Sequence, residues 1–499
     1  MESCTVIKIV FLALALFCST PSVAQTPSAE ASTAARRPDF LKPCGASIPE
    51  PTALCGSYVV FENRAARRGR KIALNMIVLP ARNAKHAPDP VFFLAGGPGQ
   101  SATELAGYFV DLMAQVWNER DLVILDERGT GKSNPLACDL YGAGAGLRDI
   151  YGEMFPPAKV RACRERLERI ADLRQYTTRV AVEDLDEVRR ALGYEMINLY
   201  GGSYGNKLAL AYLRQHGPHV RTITAAGMVP PGFKLPLPFA KGVQYVMGRV
   251  IEDCAADAVC RATCPNLKRE LTEVIARLEK EPATVELLDP ATKLPVRFRL
   301  KRGIFAERLR QLLYNPEYVS VIPLVIHRAY LGDYATFVRA SFLLARSFYQ
   351  GSSIGMYFSA TCSETVPLIS EREIRRETAS TFLGDYRTRV HVNACREWPR
   401  GVVSPGFEQA VSSDVPVLIL SNEADPAAPY WFGAEALRHL PNGRQLIIRR
   451  IGHDYFSPCL NNIVAEFISK GSARVLDTSC LDKVEPQTFV TELPAELPH

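Results

Sequence analysis

Residues 196–213 read Met-Ile-Asn-Leu-Tyr-Gly-Gly-Ser-Tyr-Gly-Asn-Lys-Leu-Ala-Leu-Ala-Tyr-Leu, and the remainder of the chain can be interpreted outward from them. The apolar run from Met196 to Tyr200 predicts a buried strand. A glycine-rich turn follows, after which Leu208, Ala211 and Tyr212 recur at helical spacing. The segment therefore predicts a strand, a sharp turn and a helix.

The turn has the pattern Gly-x-Ser-x-Gly, with Ser203 between Gly201 and Gly205. A serine at the apex of so tight a turn adopts an uncommon backbone conformation, and the flanking glycines let the strand and the helix pack. The Ser203 hydroxyl is therefore expected above the sheet, near N–H groups at the start of the helix. Between a strand and a helix, this pattern is typical of a nucleophile. The alternative is a surface serine in a glycine-rich turn.

The chain has 499 residues, of which 47% are hydrophobic and 22% are charged. This length predicts two or three domains, or one large core with an insertion. The net charge of +6 is spread along the chain, and its densest basic cluster, Arg64 to Lys71, falls between two predicted strands. We interpret that cluster as a solvated turn, and we expect no nucleic-acid partner.

The N-terminus has the features of an export signal. Lys8 precedes the apolar stretch Ile9 to Phe17, and Ser22-Val23-Ala24 provides small residues for cleavage after Ala24. The stretch is too short to span a bilayer, and no later run is long enough to do so. We expect a signal peptide at 1–24, a loosely structured segment at 25–42, and a periplasmic or extracellular mature protein.

The cysteines support export to an oxidising compartment. Of 13 cysteines, Cys4 and Cys18 leave with the signal. Several of the others lie at short separations that are typical of local disulfides, although the sequence leaves their connectivity open. The closest neighbours are Cys44 with Cys55, Cys138 with Cys163, Cys362 with Cys395, and Cys459 with Cys480, which leaves the trio Cys254, Cys260 and Cys264. No histidine lies near the trio, so we favour a disulfide and a leftover thiol over a metal site.

Strands and helices alternate along much of the chain, which predicts an α/β fold with a mostly parallel sheet and helices on both faces. The alternation stops after Gly227 and resumes at Val415. We therefore expect a core at 43–231 and 405–475, with a large and mainly helical insertion at 232–404. We interpret the insertion as a cap over the strand ends, followed by a C-terminal tail at 476–499.

A serine nucleophile needs a base, and the base needs an orienting carboxylate. In parallel sheets these groups lie in loops at the carboxyl ends of strands. Asp425 and Glu423 both follow a predicted strand at 415–420, and either could orient the base. His453 alone among the later histidines follows a strand. The chain order Ser203, Asp425, His453 favours a catalytic set over an isolated turn cap and an isolated loop histidine.

An oxyanion formed at this serine needs preorganised N–H donors. The N–H of Tyr204 is one candidate. The second must come from the loop Gly96-Gly97-Pro98, where Gly97 is the main candidate and Gly96 the alternative, because proline has no N–H. A plain glycine turn is the other interpretation of this loop.

The segment Gly129 to Ser133 superficially resembles a phosphate-binding loop. The full pattern needs glycine where Asp126 stands, and Asn134-Pro135 interrupts the helix that should follow. We therefore expect no nucleotide site, and we assign Asp126 and Arg128 to structural hydrogen bonding.

Together these motifs resemble the proline iminopeptidase and tripeptidyl aminopeptidase group of α/β hydrolases, over most of the mature chain. The resemblance rests on Gly-Gly-Pro-Gly at 96–99, Asp-Glu-Arg-Gly-Thr-Gly-Lys-Ser at 126–133, Gly-Gly-Ser-Tyr-Gly at 201–205, Asp-Pro at 425–426 with Pro429 nearby, and Gly-His at 452–453. It implies the α/β-hydrolase fold, with Ser203 as nucleophile, Asp425 as orienter, His453 as base, and Gly97 and Tyr204 as oxyanion donors.

The chain departs from proline iminopeptidases at Ala95, where that group usually has histidine. Its large cap and its predicted export and disulfides look more like the secreted tripeptidyl aminopeptidases. Acidic cap residues bind the substrate ammonium in related aminopeptidases, and Ala360 to Glu364 resembles that cap segment. The resemblance therefore makes Glu364 a candidate substrate anchor, whereas the alternative is a surface glutamate beside a disulfide.

The leading hypothesis is a serine aminopeptidase that acts on peptides without a metal or organic cofactor. A small-ester carboxylesterase with the same catalytic residues is the second hypothesis. A non-catalytic binding protein on the same fold is the third, and it is the weakest because every catalytic position holds a competent residue.

Overall fold

The computed structural model describes residues 38–45, 48, 50–141, 145–290, 292–450, 452–453, 457–483 and 488–494. The predicted signal peptide, with Cys4 and Cys18, and most of the segment at 25–42 lie outside the described residues. The strands are β1 (Leu41–Pro43), β2 (Leu54–Phe61), β3 (Lys71–Leu79), β4 (Val91–Leu94), β5 (Leu122–Leu125), β6 (Ile197–Gly202), β7 (Val220–Ala226), β8 (Ala283–Leu288), β9 (Pro295–Leu300), β10 (Val417–Asn422) and β11 (Gly443–Ile448).

Among the described residues, nine of these strands form one sheet in the order β1-β2-β3-β5-β4-β6-β7-β10-β11. The six strands from β5 to β11 in that order pair in parallel. The first three strands are added antiparallel at one side. The predicted mostly parallel sheet is confirmed, and β8 and β9 form a separate antiparallel hairpin.

The sequence explains where these strands lie in the sheet. β4 and β5 are four-residue apolar runs that are buried throughout, as expected for central parallel strands covered on both faces. The first half of β3 alternates between exposed and buried residues, which is the pattern of a strand with one face toward water. Hydrophobic periodicity therefore separates the centre of the sheet from its antiparallel side.

The helices surround this sheet and form a further layer. They are α1 (Ala106–Leu112), α2 (Leu147–Ile150), α3 (Pro157–Leu167), α4 (Thr178–Ala191), α5 (Tyr204–His216), α6 (Phe239–Ala256), α7 (Ala258–Thr263), α8 (Leu267–Lys280), α9 (Arg302–Leu312), α10 (Pro316–Val319), α11 (Ile322–Tyr330), α12 (Tyr334–Gln350), α13 (Ile354–Glu364), α14 (Glu371–Thr378), α15 (Tyr386–Arg396), α16 (Trp431–Leu437) and α17 (Pro458–Lys470).

Three hydrophobic clusters hold these layers together. Residues of α4 and α5 pack on one face of the sheet, whereas residues of α1 and α17 pack on the other. The third cluster combines the insertion, from residue 229 to 398, with residues 136–176. The sequence predicts that residues 136–176 belong to the core, but their apolar side chains pack with the insertion, and these two segments together form the helical layer.

The sequence pattern of residues 322–349 favours one long helix, but the structure divides this stretch between α11 and α12. Gly332, between α11 and α12, has φ 96°, and Asp333 caps the second helix by accepting a hydrogen bond from the backbone N–H of Thr336. A left-handed glycine followed by a capping aspartate ends one helix and starts another.

Disulfides join Cys44 to Cys55, Cys138 to Cys163, Cys362 to Cys395 and Cys459 to Cys480, so the four expected neighbouring pairs are confirmed. In the trio, Cys254 pairs with Cys260 and Cys264 is a buried free thiol. Such disulfide use is typical of proteins that fold in oxidising compartments. In the part of the chain that the structure describes, no helix is both long and apolar enough to cross a bilayer.

Candidate active site

Ser203 lies between β6 and α5, at the apex of the predicted turn. Its backbone has φ 52°, in the left-handed region that residues other than glycine rarely adopt. A Cβ on Gly205 would lie 2.1 Å from the carbonyl oxygen of Leu94, and a Cβ on Gly201 would lie 2.9 Å from the backbone nitrogen of Asn206. The predicted strand–turn–helix and its need for both glycines are confirmed.

Asp425 follows β10 and carries a buried carboxylate. Its Oδ2 accepts a hydrogen bond from Nδ1 of His453 at 2.7 Å, and its Oδ1 accepts from the backbone N–H groups of the second and third residues after it, each at 2.8 Å. The carboxylate of Glu423, the alternative that the sequence left open, accepts instead from the backbone N–H of Arg450 at 3.1 Å. Asp425 is therefore the carboxylate that orients the imidazole of His453.

Residues 226–227, at the carboxyl end of β7, lie where these groups converge. The carbonyl oxygen of Ala226 accepts a hydrogen bond from the backbone N–H of Ser203 at 2.8 Å. A Cβ on the next residue, Gly227, would lie 3.2 Å from Cε1 of His453 and 3.4 Å from Oδ2 of Asp425. Three loops from different strands thus bring the serine, the aspartate and the histidine to one edge of the sheet, as predicted for parallel strands.

Tyr314, just after α9, connects the helical layer to the histidine. Its carbonyl oxygen accepts a hydrogen bond from the backbone N–H of His453 at 2.8 Å, and the two rings meet edge to face with centroids 5.3 Å apart. Its hydroxyl accepts from Arg310 at 2.6 Å. Burial alone would raise the pKa of Glu307, but Arg310 and Arg387 lower it to about 2. A buried ion cluster therefore anchors Tyr314, the residue that packs on His453. No pattern in the sequence indicated this role of Tyr314.

The predicted oxyanion loop follows β4 and closely approaches the serine. A Cβ on Gly96 would lie 3.3 Å from Cβ of Ser203. Gly97 has φ 108° and, like Tyr204, lines the cavity beside the serine. Tyr204 is the first residue of α5, so its N–H belongs to the helix start, where donors lack partners within the helix. The donor roles of Gly97 and Tyr204 stay predictions.

The cavity beside Ser203 is bounded by both the core and the helical layer. One wall is apolar and consists of Val229, Phe233, Leu235 and Phe239. The charged residues of the lining are Lys207 and Glu364. Lys207 was not singled out from the sequence, although it lies in the first turn of the helix that starts directly after Ser203.

Glu364 is only 3% exposed, so it is not the surface glutamate of the alternative interpretation. Its Oε1 accepts from the backbone N–H of Thr178 at 2.6 Å and its Oε2 accepts from the threonine hydroxyl at 2.8 Å. Thr178 starts α4, where a carboxylate is stabilised by the helix dipole. Burial raises the pKa of Glu364, whereas Lys207 and Thr178 oppose the rise. The anchoring role of this carboxylate stays a prediction.

Glu127 is a second acid near the cavity, and no pattern in the sequence indicated a role for it. Its Oε1 lies 3.5 Å from the hydroxyl of Tyr204. Burial, followed by the charges of Glu364 and Asp184, raises the pKa of Glu127 to about 8, and Arg128 only partly opposes this shift. The raised pKa favours the protonated form of this carboxyl group.

Asp126 and Arg128 hold the neighbouring loop, as expected. The carboxylate of Asp126 accepts from the hydroxyl of Ser101 at 2.9 Å and from the amide of Asn75 at 2.8 Å. Arg128 donates from Nε to Asp184 at 2.6 Å. The structural role predicted for this pair is confirmed. Across the described ranges, no set of three or more histidine, cysteine or acidic side chains is grouped to hold a metal ion.

Two family profiles match the chain. The profile described as "alpha/beta hydrolase fold" matches residues 89–291, and the profile described as "TAP-like protein" matches residues 380–480. The chain is a serine hydrolase of the α/β-hydrolase superfamily. The first match contains Ser203, and the second contains Asp425 and His453, so the matches cover all three converging side chains of this hydrolase.

Characterised proteins are similar to this hydrolase over most of their length. "Serine protease Hip1" of Mycobacterium tuberculosis is 25% identical over 484 residues, which cover 88% of this chain and 90% of that protein. "Tripeptidyl aminopeptidase" of Streptomyces lividans is 22% identical and covers 92% of this chain and 89% of its own. "Carboxylesterase B" of Mycobacterium tuberculosis is 25% identical over 423 residues, or 78% of each chain. The relatives thus include both peptidases and an esterase.

Proposed function

We propose that this hydrolase is an exported serine aminopeptidase that releases residues or short peptides from peptide N-termini. The observation that carries the proposal is the 2.7 Å hydrogen bond between His453 and Asp425, beside a serine held at φ 52°. This arrangement supplies a base, its orienter and an accessible hydroxyl, which are the parts that acyl transfer requires.

In the proposed reaction, the Ser203 hydroxyl attacks the scissile carbonyl and transfers its proton to Nε2 of His453. Asp425 accepts the Nδ1–H and stabilises the imidazolium that forms. The N–H groups of Gly97 and Tyr204 stabilise the oxyanion. His453 then protonates the leaving amine, and water hydrolyses the acyl-enzyme by the reverse sequence of proton transfers.

Glu364 supports a peptide substrate rather than a plain ester. Its carboxylate lines the same cavity as Ser203, and among the described residues one donor contacts each of its oxygens. Since each carboxylate oxygen accepts two hydrogen bonds, an acceptor site remains on both for a substrate ammonium. The tripeptidyl aminopeptidase relative and the TAP-like profile point in the same direction.

Export completes the proposal. Its support is the disulfide content together with the apolar segment and small residues that precede Gln25. We expect the mature protein to act in the periplasm or outside the cell, where peptides arise from other proteolysis.

Substrate profiling of the purified mature protein tests the proposal. Aminoacyl and tripeptidyl amides are compared with short acyl esters, with Ser203→Ala as the control. We expect amide turnover that falls at least a thousandfold in the variant, while the melting temperature changes little. Turnover of esters alone would contradict the aminopeptidase assignment.

The second candidate is a carboxylesterase with the same catalytic residues. It is favoured by the apolar wall formed by Val229, Phe233, Leu235 and Phe239, which suits a short acyl chain, and by the carboxylesterase relative. It predicts ester turnover that Glu364→Gln leaves unchanged, whereas the aminopeptidase assignment predicts that this variant raises KM for substrates with a free N-terminus.

A further inference from the structure

Lys207 is a buried cation in the wall of the cavity that contains Ser203. It lies four residues after the serine, in the first turn of α5. The residue is 1% exposed, and it lines the cavity together with Ser203 and Glu364. Lysine is almost never this buried unless it is paired.

The ammonium of Lys207 has no hydrogen-bond partner among the residues that the structure describes. The ring of Phe407 lies 5.1 Å from its nitrogen, which provides an attractive face but no acceptor. The carboxylate of Glu364 attracts it electrostatically without forming a hydrogen bond to it. Burial lowers the pKa of Lys207, and Glu364 opposes that shift.

Buried donors without acceptors are rare because their lost hydration is not replaced. A ligand oxygen that enters the cavity would supply the missing acceptor. Glu364, the proposed anchor of the substrate N-terminus, lines the same cavity as Lys207 and Ser203. Since the acyl part of the substrate carries that N-terminus, such an oxygen would belong to the acyl part.

We propose that Lys207 is a substrate-binding residue whose ammonium donates a hydrogen bond to a carbonyl or carboxylate oxygen on the acyl part of the substrate. The proposal rests on the proposed acyl-transfer function of Ser203, and it is independent of whether the bond that breaks is an amide or an ester. It selects acyl groups that carry an oxygen acceptor, either a peptide carbonyl or an acidic side chain, over plain alkyl groups.

The charges in the cavity support this selection. Among the described residues that line the cavity, Glu364 is the acidic residue beside Lys207. A substrate that offers only an ammonium would bind the Glu364 carboxylate next to the positive charge of Lys207. A substrate that offers both an ammonium and an oxygen acceptor would satisfy both charged residues.

The test uses para-nitrophenyl esters of three acyl groups of equal length: hexanoate, the adipate half-ester and the adipate half-amide. These provide no acceptor, a carboxylate and a neutral carbonyl, respectively. Lys207→Met has nearly the same length but no donor. We expect this variant to lower kcat/KM at least tenfold for an acceptor-bearing ester and less than threefold for hexanoate.

A fall restricted to the half-ester identifies an acidic acyl group as the ligand, whereas an equal fall for the half-amide identifies a peptide carbonyl. A uniform loss for all three esters, or no loss, overturns the proposal, because it would assign Lys207 to packing or to pairing with Glu364. Lys207→Gln, a neutral donor, provides the comparison if the methionine variant does not fold, and it should retain part of the half-amide preference.

The failure of the proposed function has a different signature. Ester turnover without amide turnover overturns the aminopeptidase assignment and leaves the Lys207 comparison intact. If no ester is turned over, binding of adipamide, which adds a second amide carbonyl to the hexanamide chain, and of hexanamide to Ser203→Ala and Ser203→Ala/Lys207→Met is compared by calorimetry. Equal affinities of the two proteins for adipamide overturn the proposal for Lys207.

Discussion

Asp425 accepts hydrogen bonds from His453 and from two backbone N–H groups of its own loop. We predict that Asp425→Asn lowers kcat by about 10³ to 10⁴-fold, because an amide N–H facing Nδ1 favours the wrong imidazole tautomer. One amide oxygen still accepts from the loop, so the melting temperature should change by only a few degrees. Steady-state kinetics and thermal unfolding measure both effects.

Glu423→Gln is the matched control for that variant. It removes the charge from a carboxylate only two residues away, but that carboxylate contacts the backbone N–H of Arg450 and not the histidine. We expect its kcat within about threefold of the parent protein. A loss as large as that of Asp425→Asn would contradict the assignment of the orienting carboxylate.

Glu127 makes stability depend on pH. Its folded-state pKa of about 8 exceeds the ordinary value of 4.5, so the folded protein holds a proton that the unfolded chain releases. Stability therefore falls as pH rises from about 4.5 to about 8. Glu127→Gln removes this dependence. As pH rises through this range, its free energy of unfolding should therefore increase relative to that of the parent protein by about 1.4 kcal/mol per pH unit.

Urea unfolding of both proteins at pH 5, 6.5 and 8 measures that difference. The comparison cancels the contributions of the other titrating groups, because both proteins share them. A difference in unfolding free energy that stays constant across this range would show that Glu127 is already ionised in the folded state.

At the level of elements, the end of α9 supports the loop after β11. The ring of Tyr314 packs edge to face on His453, a contact worth about 0.5 to 1.5 kcal/mol. We predict that Tyr314→Ala lowers kcat about tenfold because the imidazole loses this support. Tyr314→Phe keeps the ring and the backbone hydrogen bond, so it should stay within about threefold of the parent protein.

Tyr334→Ala is the matched control for the lost ring volume. Tyr334 is also a buried tyrosine of the helical layer, and its ring meets Phe305 away from the candidate site. Both alanine variants should be destabilised, but kinetics below the melting temperature should separate them. Equal losses of kcat in the two alanine variants would show that Tyr314→Ala acts through general destabilisation.

Across the whole molecule, the cysteines report on both folding and processing. Five disulfides leave Cys264 as the free thiol of the described residues, and burial raises its pKa to about 11. We predict that a protein exported to an oxidising compartment reacts slowly with Ellman's reagent when folded and reveals one thiol in denaturant. Cys264→Ala should reveal none.

The same measurement tests removal of the predicted signal peptide. If Cys4 and Cys18 were retained as thiols, denatured protein would reveal two additional thiols. Reduction in denaturant should add two thiols for each disulfide. A lower number would contradict the disulfide pattern of the folded protein.

Local patterns in the sequence were sufficient for the turn that carries Ser203, the parallel strands of the sheet and four of the disulfides. The reason is that these features depend on near neighbours in the chain. Gly201 and Gly205 are required by contacts of the same turn, and short cysteine separations bring the partners together in most packings. The chain order of Ser203, Asp425 and His453 followed from the strands that precede them.

Only the tertiary structure decided between Asp425 and Glu423. It also showed that Glu364 is buried against the start of α4 and that Lys207 and Tyr314 lie beside the candidate site. These outcomes depend on side chains from distant elements that meet when the helical layer packs on the strand ends. The spacing of apolar residues indicates which face of a helix is apolar, but not which loop that face will contact. The charge balance around Ser203 therefore arises from packing between elements, which no local pattern encodes.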